Sequence, residues 1–87
     1  MKTLKQHKAK KRFPWTSTVC HYVMEQKKLS ARAIARVLGV HHSTWQAYLA
    51  GKHQPKAAIQ RKICALMQVK SYDMLVEAAV RYYRGMI

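Results

Sequence analysis

Apolar residues recur along this chain at helical spacing, and no stretch reads as a strand. Val19, Tyr22 and Val23 stand at i, i+3 and i+4, with Cys20 and Met24 alongside. They predict a first helix after Pro14, with Thr16 or Ser17 as its cap and Lys27-Lys28 near its end, where cations suit the C-terminal dipole. Ser30 is the cap of a short second helix, whose inner face is Ala31, Ile34, Ala35 and Leu38. Gly39 follows directly, a residue suited to a left-handed stop. Trp45, Tyr48 and Leu49 then mark the buried side of a third helix, which Gly51 ends. After the polar Lys52-His53-Gln54, Pro55 is placed to open a fourth helix at its first position. Ile59, Ile63, Leu66 and Met67 are that helix's apolar stripe. Ser71 caps a fifth. The expected fold is all-α, with five helices in one small domain over residues 14–87.

The fifth helix has a wider apolar arc than the others. Tyr72, Leu75, Val76, Ala79 and Tyr83 line one face, and Met74, Ala78 and Tyr82 a second; Asp73, Glu77, Arg81 and Arg84 form a narrow polar stripe. One core needs only one stripe. If the core takes Leu75, Val76 and Ala79, then Met74, Ala78, Tyr82, Met86 and Ile87 face outward, and a second copy of the chain is the expected cover.

Charge changes this picture from a plain helical domain to one with a polyanionic partner. The 87 residues hold 17 Lys+Arg against 3 Asp+Glu, a net charge of +14. Such a field attracts nucleic acid first, with an anionic membrane surface as the rival. The three acids are Glu25, Asp73 and Glu77, so none falls between Gln26 and Tyr72, where Lys27, Lys28, Arg32, Arg36, Lys52, Lys56, Arg61, Lys62 and Lys70 lie. Residues 1–13 are a basic arm containing Lys2, Lys5, Lys8, Lys10, Lys11 and Arg12, expected to be flexible alone and to follow a phosphate backbone or enter a groove. No apolar run is long enough to span a membrane, and no apolar segment follows the basic start as in a secretory leader. Cys20 and Cys64 belong to no CxxC pair and read as two reduced, buried thiols of a cytoplasmic protein.

The stretch from Ala35 to Pro55, Ala-Arg-Val-Leu-Gly-Val-His-His-Ser-Thr-Trp-Gln-Ala-Tyr-Leu-Ala-Gly-Lys-His-Gln-Pro, resembles the helix-turn-helix of the Cro/C1-type, lambda-repressor-like transcriptional regulators. Ala35 stands in the small-residue slot where the two helices cross, Gly39 in the turn, and Val40 in the apolar slot after it. Ser43-Thr44 match the start of the recognition helix, and Gly51-Lys52 with Pro55 match the exit into the next helix. The resemblance covers about half the chain, from Ser30 to Val69. Where the family usually has Ile or Val, this chain has Trp45, which calls for a roomier core or a tilted third helix. Where the family often has Gln, it has Ala31, so a phosphate contact is either lost or passes to another residue such as Arg32.

The resemblance implies that the third helix lies in the major groove of double-stranded DNA, with His42, Ser43, Gln46 and Ala47 toward base edges. Gln46 can pair with adenine, His42 can donate to guanine, and Ala47 can meet a thymine methyl. The implied backbone contacts are Lys10, Lys11, Arg12, Ser30, Arg32, His41, Lys52, His53 and Lys56. The implied function is sequence-specific regulation by a homodimer on an inverted-repeat operator, with repression by occupancy, as in a regulator of a phage, plasmid or other mobile element. A DNA-binding antitoxin and a recombination accessory factor fit the same features. So, more distantly, do a structural RNA-binding protein and a peripheral membrane helix. An enzyme does not fit: the carboxylates are too few and scattered, and no glycine-rich phosphate loop occurs. Neither a cofactor, a small-molecule substrate nor a metal is expected. His41 and His42 are neighbours that point in different directions on a helix, and no Cys or carboxylate stands at ligand spacing to them or His53. The expected location is cytoplasmic, on the nucleoid.

Overall fold

A computed structural model describes residues 14–85, and all of the secondary structure in them is helical. The helices are α1 (Pro14–Lys27), α2 (Ala31–Leu38), α3 (His42–Leu49), α4 (Ala57–Met67) and α5 (Tyr72–Arg84). The basic arm, with Lys10, Lys11 and Arg12, and the terminal Met86 and Ile87 lie outside the described residues. α1 packs on α5 and on α3, α2 on α3 and α4, and α4 on α5.

The helices meet in one core, to which each of them contributes. Val19, Cys20 and Val23 come from α1, Ile34, Ala35 and Leu38 from α2, Trp45 and Tyr48 from α3, Ile63 from α4, and Leu75 and Ala79 from α5. The apolar positions at helical spacing are therefore the buried ones. Trp45 is wholly enclosed. Its ring meets Tyr48 edge to face at 6.0 Å, and its indole N–H donates to the Met24 sulfur at 3.4 Å. The core is thus roomy enough at α3 for the large ring, and its one polar atom finds a soft acceptor. Burial pushes the Cys20 thiol up to about 12, which keeps it protonated and unreactive.

Two helix starts differ from expectation. α1 begins at Pro14, so neither Thr16 nor Ser17 is its cap. Proline lacks the N–H that a first turn leaves unpaired, and its fixed φ already suits a helix. Thr16 is buried inside the first turn, and Ser17 is committed elsewhere. α4 begins at Ala57, two residues after the expected Pro55. Pro55 is buried in the connection, and its carbonyl accepts from the Gln60 side chain at 3.0 Å; Lys56, extended at φ −73° and ψ 165°, is the cap residue.

Four of the five helices stop in the same way. The residue after the helix end, or in α3 the second residue after it, takes a left-handed conformation, and the next amide reaches back five residues: Leu29 to Met24, Val40 to Ala35, Lys52 to Ala47 and Val69 to Cys64, at 2.9–3.2 Å. Gly39 and Gly51 hold two of these turns, at φ 73° and 74°. Lys28 and Gln68 hold the other two, at φ 53° and 57°, although both carry a Cβ.

Candidate nucleic-acid interface

The site is built around α2 and α3, joined by Gly39, Val40 and His41. Ser30 caps α2 by accepting from the Ala33 amide at 3.2 Å. Ala35 is buried where α2 meets α3, and the left-handed Gly39 makes the sharp reversal. A side chain there would be strained by the backbone angle alone. Val40 is partly buried and packs on the core beyond the turn.

α3 starts with its own cap. His41 is extended, and its Nδ1 accepts from the Ser43 amide at 3.1 Å and from the Ser43 hydroxyl at 2.8 Å. The Ser43 amide can only donate, so Nδ1 carries the lone pair and the ring proton lies on Nε2. An imidazole therefore does the work usually given to Ser, Thr, Asp or Asn.

Both helices are also held at their C-terminal ends by side chains from flanking helices. Lys62 of α4 donates to the Leu38 carbonyl at 3.2 Å. Ser17 of α1 donates to the Leu49 carbonyl at 2.7 Å. These carbonyls belong to the last turn, where partners within the helix run out and a cation is favoured. The pair is thus clasped from two sides, which fixes α3 relative to the core.

With Trp45 and Tyr48 filling its inner side, α3 turns His42, Ser43 and Gln46 outward. Ser43 and Gln46 are exposed, while His42 and Ala47 are partly buried. His42 and Gln46 are joined by a hydrogen bond of 3.1 Å between the amide nitrogen and the ring Nε2. Beside this face lies a cleft of about 430 Å³, lined by Ser43 and Ala47 from α3 and by His53 and Lys56 from the following connection. Two of the base-edge candidates, Ser43 and Ala47, and two of the backbone candidates, His53 and Lys56, therefore share one surface. Lys52, also exposed, belongs to the same connection. Arg32 and Ser30 are exposed at the start of α2, and His41 is exposed at the start of α3.

The outward set on α5 is more divided. Met74 is 50% exposed and Ala78 partly buried. Tyr82 is half-buried and leans toward α1. Its hydroxyl donates to a Glu25 oxygen at 2.9 Å, and its ring meets Tyr22 edge to face at 5.2 Å. Tyr83 donates to the other Glu25 oxygen at 3.3 Å. The packing of α5 on α1 accounts for this: it brings the end of α5 against the only carboxylate of α1, which then accepts from both phenols.

Several residues of this arrangement escaped the sequence reading. A histidine as helix cap and the two C-terminal clasps, Lys62 and Ser17, depend on contacts 2 to 32 residues apart. Among the described residues, no three His, Cys, Asp or Glu side chains gather where a metal ion could be held. No helix among them is long and apolar enough to cross a membrane.

A family model described as a helix-turn-helix domain matches residues 4–79. No curated protein and no solved structure matches the chain.

Proposed function

Because the chain belongs to the helix-turn-helix domain family, we propose that it is a sequence-specific regulator of transcription that binds double-stranded DNA and represses, Cro-like, by occupying its operator. One observation carries the reading: Ser43 and Ala47 of the outer side of α3 line a single cleft with His53 and Lys56 of the connection that follows it. Hydrogen-bonding groups without fixed charge suit base edges, and cations beside them suit the flanking phosphates. His42, Ser43, Gln46 and Ala47 then read bases. Ser30, Arg32, His41, Lys52, His53 and Lys56 hold the backbone, with Lys10, Lys11 and Arg12 of the arm adding to the grip.

The active form in this reading is a two-fold dimer joined through α5. One short recognition helix spans too few base pairs for selectivity, whereas two about 34 Å apart read an inverted repeat. The exposed residues of α5 support the pairing. Asp73 and Glu77 stand in its first half, Arg81 and Arg84 in its second. An antiparallel partner helix brings each acid opposite a base, and buries Met74 with the groove of about 340 Å³ that it lines beside Val76 and Val80. Met86 and Ile87, outside the described residues, belong to the same proposed interface.

Selection of binding sites from random duplex, followed by footprinting, tests the proposal. The expected result is an inverted repeat, protected at both halves and lost on scrambling. Log K should fall against log salt with a slope of about −6 or steeper, and flatten without residues 1–12. Equal affinity for the selected and scrambled duplexes would end the reading.

A further inference from the structure

We propose that His42 fixes which way the Gln46 amide faces the DNA, and so commits α3 to adenine over guanine at one base pair of each half-site. The inference rests on the reading of α3 as the base-reading helix.

His42 and Gln46 lie one helical turn apart on the outer face, and the amide nitrogen of Gln46 stands 3.1 Å from Nε2 of His42. An amide nitrogen only donates, so the ring nitrogen accepts and the imidazole proton sits on Nδ1. One N–H of Gln46 is thereby spent on its neighbour. What remains toward the groove is the carbonyl oxygen and the second N–H, an acceptor beside a donor. Adenine offers the matching pair, the N6 amino group and N7. Guanine offers two acceptors, O6 and N7, and the Gln46 oxygen would face one of them without a proton between. An unheld glutamine does not discriminate so well. Its terminal torsion is broad and roughly two-fold, so the amide turns either end outward. His42 removes that freedom before DNA arrives, and is a positioning residue for the base contact.

The base at position 42 can be replaced by groups of known polarity. Ala offers nothing to the amide. Glu offers only acceptors and holds the NH₂ inward, as His42 does. Lys offers only donors and draws the amide oxygen inward, leaving the NH₂ group toward the groove. Relative affinities should be measured for all four base pairs at every position of the selected duplex, for the wild type, His42→Ala, His42→Glu, His42→Lys and Gln46→Ala, with helical content as a control.

The wild type should prefer adenine to guanine about tenfold or more at one position. His42→Ala should bring the position read by Gln46 toward parity, whatever it changes at a base that His42 itself touches. His42→Glu should restore the adenine preference while binding every sequence more weakly, because its charge repels phosphate. His42→Lys should move the preference toward guanine, and should lose this effect when combined with Gln46→Ala. An adenine preference that is the same in the wild type, His42→Ala and His42→Lys overturns the inference. Gln46→Ala separates that failure from a failure of the site: if it erases the preference, α3 reads the base whatever His42 does. If no position responds to Gln46→Ala, both readings fall.

Discussion

α3 and α5 each bury one side in the same core and turn the other to solvent, yet their outer faces have little in common. α3 presents hydrogen-bonding groups, already joined to one another: His41 to Ser43 and His42 to Gln46. α5 presents an apolar residue, Met74, among fixed charges of both signs. The first face has polar atoms in defined directions, which suits a ligand whose edges carry donors and acceptors. The second has area and opposite charges at its two ends, which suits a copy of itself. The two faces thus separate by the kind of information they hold, directional on α3 and complementary on α5.

The widest test of that separation removes the inner anchor of each helix. Trp45 and Leu75 are both fully buried. Trp45→Ala should cost about 3–5 kcal/mol and Leu75→Ala about 2–5 kcal/mol in urea unfolding. The two should differ in what the folded fraction does. Trp45→Ala should lose DNA binding even where helix remains, because α3 loses its seat. Leu75→Ala should keep half-site binding. Equal loss in both would mean that the two helices are not separable modules.

A smaller effect should follow from Met74→Asp, which alters only the outer face of α5. Dimer dissociation, followed by sedimentation, should become at least tenfold easier, a change of about 1.4 kcal/mol. The thermal transition of the monomer should move little, since Met74 makes no part of the buried cluster. Tyr82→Asp is the poorer probe. It would place a second carboxylate beside Glu25 and disturb the α1–α5 contact itself. A Met74→Asp protein that stays dimeric would remove α5 as the interface.

Smaller again is the cap of α3. His41→Ala should cost about 1 kcal/mol by chemical denaturation, and His41→Asn should recover most of it by offering another acceptor. The same pair read on DNA sharpens the comparison between helices. If His41 also donates from Nε2 to a phosphate, His41→Asn should restore stability without restoring affinity. Full recovery of both would confine His41 to capping.

The pattern of apolar residues made most of this fold legible before any coordinates. Ile34, Ala35 and Leu38, then Trp45 and Tyr48, stand on the inner side because helical spacing permits no other shared face. Ser30, Ser71 and Gly39 act as caps because their side chains, or the lack of one, suit only those positions. The outward placement of Ser43 and Gln46 follows from the burial of Trp45. What stayed hidden depends on partners distant in sequence or on geometry without a residue signature. Nothing in Tyr82 announces that it will meet Glu25, 57 residues earlier. Nothing in Lys62 separates it from neighbouring cations until α4 lies against the end of α2. Pro55 misled because proline suits a buried turn as well as a first helical position.

The repeated helix endings have a consequence for how far this protein can be improved. Glycine is used at two of the four left-handed stops, while Lys28 and Gln68 hold the same conformation with a side chain attached. An L-residue there carries a penalty of roughly 1 kcal/mol that glycine avoids. The fold therefore runs below its own ceiling, and the shortfall is concentrated at two sites that can be relieved one at a time. Gln68→Gly, in the α4–α5 connection and away from α3 in the chain, should raise the melting temperature by several degrees with DNA affinity unchanged; a lowered melting temperature would show that the lost side chain matters more than the relaxed backbone. A thermally hardened version of the domain is two codons away, and neither position lies on α3.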